Sequence, residues 1–550
     1  MKILTLHCDY IKFKPVKEAI KGAEKTEKKE TIERECLVVL TTVEENDNEE
    51  LVEKLVENIK EIASKVKCKK IVLYPYAHLS SRLARPEIAS KILEKTEKAL
   101  KKHFDVKKAP FGWYKEFELK CKGHPLAELS REITPEEKKE KLRKIILDKS
   151  KLSPQDHRIL GSRLDLFSFN EVSPGCVFWH PKGVILRNLL INFWRKEHEK
   201  EGYKEISTPQ LMSKKLWKIS GHWDYYKENM FLTSAANEEF ALKPMNCPGA
   251  ILLFKLKPRS YKELPLRFAE LGIVHRKELS GVLAGMFRVW QITQDDAHIF
   301  CTEEQLEEEI MNIIRLIQRI YCVFGFSYRI ELSTMPKEHI GTKEKWTAAE
   351  KALQNALKKL KLEFKLNPGE GAFYGPKIDF HIKDSQGREW QCATIQVDFF
   401  MPEKFELKYT GKDNKQHTVK IIHRTIFGSI ERFIGILTEH YNGAFPLWLS
   451  PVQIRVLSFT KRNVETAKKI AERLKQEGFR IETDFEDVTL DYKIREAELQ
   501  KIPYIVVIGD KEEKTNTLAV RPRNKKPEFG IKLEDFIKKL KEQTEIKKLL

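Results

Sequence analysis

The order of apolar and polar positions divides the chain into alternating strands and helices. A short alternating strand at 1–9 precedes a Lys- and Glu-rich stretch at 12–35, which predicts a solvated excursion, and a buried strand follows at 36–43. From 51 to 66 apolar residues recur every three or four positions, which predicts a helix with one apolar face. A further strand at 71–79 leads into another helix. This alternation favours a small α/β sheet.

The remainder of the chain shows different patterns. A charge-rich stretch at 133–150 predicts a helical linker, and about 155–450 combines aromatic-rich strands with long amphipathic helices. Within it, 265–278 and 285–301 predict the arms of an antiparallel hairpin, which favours an α+β fold over a doubly wound sheet. The tail, 451–550, has the order βαβαββα. We therefore expect a multidomain α/β and α+β protein.

Composition and charge narrow the class of protein. The 550 residues are 41% hydrophobic and 33% charged, and the net charge of +19 suggests either a polyanionic partner or a Lys-rich proteome. Nine cysteines without a CxxC pair argue against a disulfide scaffold and for a reducing compartment. The sequence has no signal-peptide core and no apolar run long enough to span a bilayer. We expect a cytoplasmic protein with no membrane partner.

Two charged residues, Glu431 and Arg432, interrupt the otherwise apolar helix IFGSIERFIGILTEH. An arginine inside an apolar run rarely goes unpaired. It is either one half of a structural pair with a carboxylate or a guanidinium held for a phosphate or nucleotide. These residues alone leave both interpretations open. The common phosphate-binding loops, GxxxxGK(S/T) and GxGxxG after a strand, are absent from the sequence.

Three segments resemble the three motifs of class II aminoacyl-tRNA synthetases. They are a long helix and strand that end at Pro209, the tripeptide Arg276-Lys277-Glu278 with a returning strand at 286–300, and GSIERF with Arg432. Within that class, five ordered segments are similar to threonyl-tRNA synthetases: MNCPG (245–249), TQDDAH (293–298), GAFYGPKIDF (371–380), WQCATIQVDF (390–399) and HRTIFGSIERF (423–433). The N-terminal segments LYPYAHLSS (73–81), APFGWYKEF (109–117) and CKGHPLAELSR (121–131) resemble the editing domain of archaeal members, which is similar to D-aminoacyl-tRNA deacylases.

The resemblance implies four parts: an editing domain at 1–135, a charged linker at 136–155, a class II catalytic domain at 156–450 and an anticodon-binding domain at 451–550. It implies a ligase that activates L-threonine with ATP and transfers it to tRNA(Thr). It also implies hydrolysis of mischarged seryl-tRNA(Thr). The family's first motif forms a dimer interface, so a homodimer through the catalytic domain is expected.

For amino-acid activation the family uses fixed cations, because the attacking carboxylate and the α-phosphate are both anionic. By resemblance, Arg276 clamps the α-phosphate, Arg432 holds the far end of ATP, and Glu278 helps to seat the adenine or its phosphates. One or more Mg²⁺ ions bridge the phosphates. Asp296 is expected to bind the substrate ammonium. The other residues implied at the adenylate or amino acid are Met245, Gln294, Tyr374, Lys377, Gln391 and Gln396.

Cys247, His298 and His423 lack zinc-finger spacing and, taken alone, indicate ordinary core residues. The resemblance makes them the ligands of one catalytic Zn²⁺ per subunit, with open positions for the amino group and hydroxyl of threonine. Valine has no hydroxyl to complete such a site. Serine lacks only a methyl group, worth about 1–3 kcal/mol, so a second, hydrolytic site is expected.

The N-terminal domain is the candidate for that hydrolytic site. Resemblance puts His78, Tyr114, Lys115 and Glu128 in it, whereas His78 and Lys115 taken alone indicate surface polarity. For transfer, His222 matches the residue that activates the terminal ribose hydroxyl of tRNA. A histidine packed in an aromatic cluster is the alternative.

In the tail, Glu512 and Arg521 match positions that read anticodon bases. Asp487 stands where some relatives have asparagine, which leaves its contact open.

Three departures from the family pattern concern ATP binding. Ala250 replaces the histidine of NCPGH, Ala284 replaces a loop histidine, and Trp290-Gln291-Ile292 replace an Arg-Gly-Phe whose phenylalanine stacks on adenine. Activity is still expected, with a changed affinity for ATP. The rival interpretations are a synthetase for proline, serine or glycine, a catalytically silent tRNA-binding paralogue, and a standalone editing protein. The retained Cys–His–His set argues against the first rival, and the retained motif arginines argue against the second.

Overall fold

The computed structural model describes residues 1–134, 152–235, 237–278 and 283–547. The chain divides into two compact units, Met1–Lys141 and Leu142–Leu550. The predicted linker at 136–155, like the helix predicted at 133–150, lies almost entirely outside the described residues. In the described ranges, no helix is both long and apolar enough to cross a membrane.

The first unit is a mixed sheet with two helices against one face, as the α/β pattern predicts. Its elements are β1 (Lys2–Glu18), β2 (Thr31–Thr42), α1 (Leu51–Lys65), β3 (Lys70–Pro75), α2 (Pro86–Leu100), β4 (Asp105–Lys108), β5 (Trp113–Cys121) and β6 (Glu128–Glu132). The strand order is β4-β3-β2-β1-β5, with β6 paired to the first residues of β1. Strands β2, β3 and β4 are parallel, and β1 is antiparallel to its neighbours. The apolar faces of α1 and α2 pack on β2 and β3.

The predicted excursion at 12–35 is wrong in extent. Strand β1 continues to Glu18 and β2 begins at Thr31, so the two form a long antiparallel hairpin. Ile11 and Phe13 are buried while the lysines between and beyond them point outward. The charges at 12–18 and 31–35 therefore lie on strands, and the solvated connection is limited to 19–30.

The second unit contains a large α+β core followed by a smaller α/β module. The core strands are β7 (Phe167–Ser168), β8 (Phe178–Trp179), β9 (Lys204–Glu205), β10 (Leu211–Ser213), β11 (Leu232–Ala235), β12 (Glu238–Leu242), β13 (Leu266–His275), β14 (Gln291–Cys301), β15 (Ser327–Ser333), β16 (Lys365–Asn367), β17 (Lys377–Lys383), β18 (Glu389–Asp398), β19 (Lys408–Thr410), β20 (Gln416–Thr418) and β21 (Lys420–Thr425). The core helices are α3 (His157–Arg163), α4 (Pro181–Lys200), α5 (Lys214–Ile219), α6 (His222–Tyr225), α7 (Cys247–Lys255), α8 (Leu306–Phe324), α9 (Lys343–Lys359), α10 (Phe400–Lys404) and α11 (Ile430–His440).

An eight-stranded sheet organises this core, in the order β16-β15-β17-β18-β21-β14-β13-β9. All neighbours are antiparallel except β15–β16 and β13–β9. The predicted hairpin is confirmed, because β13 and β14 pair along their full length up to His275 and Gln291. Apolar side chains on one face pack against α4, α8, α9 and α11. The other face carries polar side chains and, at one end, a second apolar cluster that includes Phe268, Phe300 and Ile421.

The tail forms a five-stranded sheet in the order β23-β22-β24-β25-β26. Its elements are β22 (Ile454–Ser458), α12 (Val464–Gln476), β23 (Ile481–Asp484), α13 (Leu490–Leu499), β24 (Tyr504–Ile508), α14 (Asp510–Thr515), β25 (Leu518–Pro522), β26 (Glu528–Ile531) and α15 (Leu533–Glu545). The predicted order βαβαββα lacked α14 and β26. This helix is one short turn-like element between two strands, and such an element leaves no periodic apolar pattern.

Candidate active site

The polar face of the core sheet collects side chains from three neighbouring strands. Gln294, Asp296 and His298 alternate along β14 on this face, since successive strand residues point to opposite faces. His298 is the direct cross-strand partner of His423 on β21, and Gln396 on β18 is the partner of His423 from the other side. Pairing of distant strands thus joins the predicted motifs in one place.

Three side chains at this place form a candidate metal centre. The thiol of Cys247, at the first residue of α7, and ring nitrogens of His298 and His423 all lie within 4.8 Å of one another. His298 is fully buried, yet neither of its ring nitrogens has a hydrogen-bond partner, and Nδ1 of His423 also has none. Leaving such buried groups unpaired costs about 1–3 kcal/mol each. Burial lowers the pKa of His298 well below its ordinary value, which keeps the ring neutral and able to donate a lone pair.

One thiolate and two imidazoles suit a zinc ion with an open position. Burial raises the pKa of the Cys247 thiol, and a bound metal ion would favour its thiolate form. The donor set and the unpartnered nitrogens therefore fit a metal ion.

Asp398, which the sequence analysis missed, fixes the orientation of one candidate ligand. Its Oδ2 lies 2.8 Å from Nε2 of His423, and its Oδ1 accepts hydrogen bonds from the backbone N–H groups of Phe400 and Met401. A carboxylate in this position leaves Nδ1 of the ring free for a metal. The sequence could have predicted Asp398, because it follows the predicted Gln396 by two residues and therefore lies on the same face of the strand.

Asp296 is a buried carboxylate whose only hydrogen bond in the described residues comes from the side-chain amide of Asn246, at 3.2 Å. Burial raises its pKa to about 6. No lysine or arginine in the described part of the chain forms an ion pair with it. A desolvated carboxylate without a protein cation is a suitable partner for an ammonium group.

A cavity of about 170 Å³ opens over this cluster. It is lined by Met245, Cys247, Arg276, Gln294, Asp296, Tyr374, Thr394, Gln396, His423, Arg424 and Thr425. The structure therefore brings most of the predicted substrate residues, a motif arginine and two candidate ligands to one cavity. Thr394, Arg424 and Thr425 were not predicted.

Several predicted residues lie near this cavity without lining it. His222 is fully buried, and its ring nitrogens contact the Ser220 hydroxyl at 2.8 Å and the Met245 sulfur at 3.0 Å. It thus lies behind Met245, and burial lowers its pKa to about 4. Lys377 and Gln391 both bind the carboxylate of Asp379, at 2.6 Å and 2.7 Å.

The two motif arginines use backbone carbonyls as partners. Nε of Arg276 donates to Pro244, and Nε of Arg432 donates to Phe287 at 2.9 Å. Glu431 binds the Thr293 N–H and not its neighbour Arg432. Among the described residues no carboxylate lies within ion-pair distance of Arg432. The structural pair with a carboxylate, one of the two interpretations of this arginine, is therefore not formed among the described residues.

Glu278 and the segment Trp290-Gln291-Ile292, which departs from the family pattern, lie near the start of β14. The nearest cation to Glu278 is Arg288, with 3.8 Å between Oε2 and Nε. The indole N–H of Trp290 donates to the Glu278 carbonyl, and its ring packs at 5.4 Å from the ring of Phe231. Trp290 therefore has a packing role in this chain. Ile292 is only half-buried at the start of β14.

In the first unit, a cavity of about 430 Å³ includes His78, Tyr114 and Lys115 in its lining. The ammonium of Lys115 donates to the carbonyls of Pro110 and Trp113, both at 3.0 Å, and lies 5.0 Å from the ring centroid of Tyr74. Burial lowers its pKa to about 8.

Lys115 is therefore not the free surface lysine that the alternative interpretation predicted. Glu128, at the start of β6 opposite Leu6, is not among the residues that line this cavity.

The predicted anticodon residues occupy the tail module. The Glu512 carboxylate accepts a hydrogen bond from the Gly509 N–H and so caps α14. Arg521 lies on β25 opposite Ile505, and the described part of the chain offers its guanidinium no hydrogen bond or ion pair. Asp487 forms an exposed ion pair with Lys461 at 2.8 Å.

Three family models match the chain: the archaea-specific editing domain of threonyl-tRNA synthetase at residues 1–133, the class II tRNA synthetase core domain (G, H, P, S and T) at 230–441, and the anticodon binding domain at 452–543. The chain is 55% identical to the threonine–tRNA ligase of Clostridium tetani over 386 residues, which is 70% of this chain and 60% of that protein. It is also 55% identical to that of Caldanaerobacter subterraneus, over 72% of this chain and 61% of that protein. The chain thus spans about 60% of the length of these curated relatives.

Solved structures give the same result. The RNA binding domain of threonyl-tRNA synthetase from Cryptosporidium parvum Iowa II superposes with a TM-score of 0.69 at 45% identity, covering 70% of this chain and 98% of that chain. A protein described as a threonyl-tRNA synthetase from Aeropyrum pernix gives a TM-score of 0.62 at 32% identity, covering 71% of this chain and 97% of that chain. The chain therefore belongs to the threonyl-tRNA synthetase family, with an editing domain of the archaeal type, a class II core and an anticodon-binding domain.

Proposed function

We propose that the chain is a threonine–tRNA ligase that activates L-threonine with ATP and transfers it to tRNA(Thr). The observation that carries this proposal is the candidate metal centre beside the Asp296 carboxylate in one cavity. Within the described residues, both ring nitrogens of His298 and Nδ1 of His423 have no hydrogen-bond partner. These groups can recognise an amino acid through both its ammonium and its side chain.

Threonine selection follows from the donor set. Cys247, His298 and His423 would hold one zinc ion, which when bound supplies open positions for the amino group and hydroxyl of the substrate. Asp296 pairs with the substrate ammonium. Asp398 keeps the His423 ring in the orientation that ligation requires. Valine, which lacks the hydroxyl, leaves the site incomplete.

Activation uses the arginines beside the same cavity. Arg276 holds the α-phosphate, while Arg432 holds the far end of ATP and has no competing carboxylate among the described residues. Glu278, Lys377 and Gln391 complete the nucleotide and adenylate contacts, and Mg²⁺, when bound with ATP, would offset the negative charge of the phosphates.

For transfer, the neutral ring of His222 behind Met245 is the base for the ribose hydroxyl. The tRNA is bound through the tail, with Glu512 and Arg521 at the anticodon.

The proposed boundaries are an editing domain at 1–135, a linker at 136–155, a catalytic domain at 156–450 and an anticodon-binding domain at 451–550. Lys115, Tyr114 and His78 in the cavity of the first unit support hydrolysis of seryl-tRNA(Thr), with Glu128 as a fourth participant. Helix α4 exposes Val184 and Ile185, apolar residues that suit a homodimer interface. The reaction supplies protein synthesis, and we propose a cytoplasmic location.

A zinc-dependent ATP–pyrophosphate exchange assay tests the proposal. Threonine, serine and valine are run side by side, with and without a chelator, and the chelated protein is then resupplied with zinc. We expect exchange with threonine, weaker exchange with serine, none with valine, loss on chelation and recovery with zinc. His298→Ala should behave as the chelated protein does. Absence of exchange with all three amino acids would leave an editing or tRNA-binding protein on a silent synthetase core.

A further inference from the structure

A closed chain of hydrogen bonds begins and ends on helix α11. Arg432 and Glu439 lie seven residues apart on this helix, about two turns, and so share one face. The Glu439 carboxylate accepts from Nδ1 of His157 at 2.6 Å and from the His157 backbone N–H at 2.9 Å. Nε2 of His157 accepts from the backbone N–H of Met286 at 3.0 Å. One residue further along the backbone, the carbonyl of Phe287 accepts from Nε of Arg432.

The side chain of His157 is buried and closely packed. Its side chain is 1% exposed, and its ring lies 4.1 Å from the ring of Phe287. Since Nε2 accepts a backbone N–H, the ring proton is on Nδ1 and is donated to Glu439. Gly285 has φ +55°, and a Cβ there would lie 2.3 Å from Nε2 of His157. Only glycine lets the backbone approach the imidazole this closely.

The same residues do not form a second metal site, although ligand atoms of Asp156, His157 and Glu439 lie within 4.8 Å of one another. Both ring nitrogens of His157 already have protein partners. The second carboxylate oxygen of Glu439 accepts from Arg388. The cluster is therefore satisfied internally, unlike the unpartnered nitrogens of His298.

The chain of contacts controls where the Arg432 guanidinium points. Arg432 is partly buried and has no carboxylate partner in the described ranges, so the Phe287 carbonyl is the contact that orients it. The position of that carbonyl depends in turn on the Met286 N–H held by His157. We propose that His157 is a positioning residue for ATP: it holds the Met286–Phe287 backbone so that the guanidinium of Arg432 faces the nucleotide. This inference rests on the proposed role of Arg432 in binding ATP.

Two nearly isosteric variants separate the two hydrogen bonds of the imidazole. In His157→Gln the amide oxygen reaches the position of Nε2 and can still accept from Met286. In His157→Asn the amide nitrogen reaches the position of Nδ1 and can still donate to Glu439, but Met286 loses its acceptor. The measurement is the dissociation constant of Mg²⁺–ATP by titration calorimetry on the full chain, with thermal unfolding as the check on folding and threonine binding as the second ligand.

We expect His157→Asn to weaken ATP binding about tenfold, the effect of one lost hydrogen bond of roughly 1.4 kcal/mol, and His157→Gln to stay within about twofold of wild type. Threonine binding should change in neither variant. Gly285→Ala should also weaken ATP binding, and adding it to His157→Asn should cause little further loss, because both act on the same backbone segment.

Equal ATP affinities in the Asn and Gln variants, or parallel losses of ATP and threonine binding, would overturn the inference, as would a wild-type chain that binds no ATP. A wild-type chain that binds ATP but exchanges no pyrophosphate with threonine would refute the proposed function alone. In that case the affinities of the His157 variants would still decide the role of His157.

Discussion

His298 and His157 are both buried histidines of the core, and they differ only in what their ring nitrogens contact. In the described part of the chain, His298 has no hydrogen-bond partner at either nitrogen, whereas His157 has one at both. The partners of His157 lie 129 and 282 residues away in the sequence. No local pattern could therefore distinguish a candidate ligand from a positioning residue. The candidate metal ligands were predicted only through motif resemblance, and Asp398 could have been predicted only through strand alternation.

At the residue scale, Asp398→Asn tests the support of the candidate ligand His423. The amide can no longer accept strongly from Nε2 and stabilise the ligating tautomer. We expect zinc affinity to fall about 10- to 100-fold, measured by competition with a chromogenic chelator. Asp413→Asn is the control, since it removes a carboxylate from an exposed histidine, His417, on the β19–β20 hairpin. Equal zinc affinity in the two variants would contradict the assignment of Asp398.

The Lys115→Met variant tests how much the partly buried ammonium of Lys115 lowers the stability of the first unit. The pKa of about 8 in the folded unit lies below the value of about 10.4 expected in an unfolded chain. Below pH 8 the Lys115 charge therefore lowers the free energy of unfolding by its full amount. This penalty disappears as the pH rises from about 8 to 10.4. We expect the variant to be more stable by about 1–2 kcal/mol at pH 7, a figure reduced for partial solvent access, and the difference to narrow at higher pH.

Urea unfolding followed by hydrogen exchange and mass spectrometry reports the peptides of this unit separately. Lys120→Met, on the exposed surface of β5, is the control for loss of a lysine. A stability difference that stays constant or widens between pH 8 and 10 would show that burial does not penalise the Lys115 ammonium.

At the element scale, the sequence predicted elements with a regular apolar period and missed those without one. The helix predicted at 51–66 is α1, Leu51–Lys65, and the predicted hairpin is β13–β14. The β1–β2 hairpin was underestimated because its exposed face is so rich in lysine that the alternation is hidden. Helix α14 and strand β26 are too short to carry a period. The sequence thus predicted the type of an element wherever the element has a regular apolar face, over several turns of a helix or several residues of a strand.

The packing of α7 on β13 gives a prediction at this scale. A Cβ at Gly272 would lie 2.1 Å from Oδ1 of Asn246, whose amide holds Asp296 and which directly precedes Cys247. Gly272→Ala should therefore displace Asn246, lower zinc affinity and threonine exchange, and destabilise the core by about 1–3 kcal/mol. Gly123→Ala is the matched control, since nothing lies within 4 Å of a Cβ there. Normal exchange by Gly272→Ala would mean that Asn246 does not position Asp296.

At the scale of the whole molecule, two arginines of the tail module bind carbonyl groups at the end of the core. Arg480 donates to the carbonyls of Ser450, Leu447 and Trp448. Arg523, just after β25, donates to those of Ala444, Phe445 and Lys501. These contacts join the connecting segment that follows α11 to the sheet that carries Arg521. No sequence motif marks such a contact, because its acceptors are backbone atoms of any residue type.

Arg523→Met tests whether this attachment matters for the second half of the reaction. Burial lowers the pKa of Arg523 to about 10, so the guanidinium is still charged at neutral pH and its carbonyl contacts are charge-assisted. Removing it leaves the carbonyls of Ala444 and Lys501 without a donor, since that of Phe445 still accepts from the Ser450 hydroxyl. The loss loosens the anticodon-binding module on the core, whereas the activation cavity is untouched. We expect kcat/KM for aminoacylation to fall roughly tenfold while threonine-dependent pyrophosphate exchange, which needs no tRNA, stays at the wild-type rate. Arg462→Met removes an exposed arginine of the same module and should leave both rates unchanged. A parallel loss of exchange in Arg523→Met would mean that this arginine supports the catalytic core itself and does not act through the placement of the tRNA-binding module.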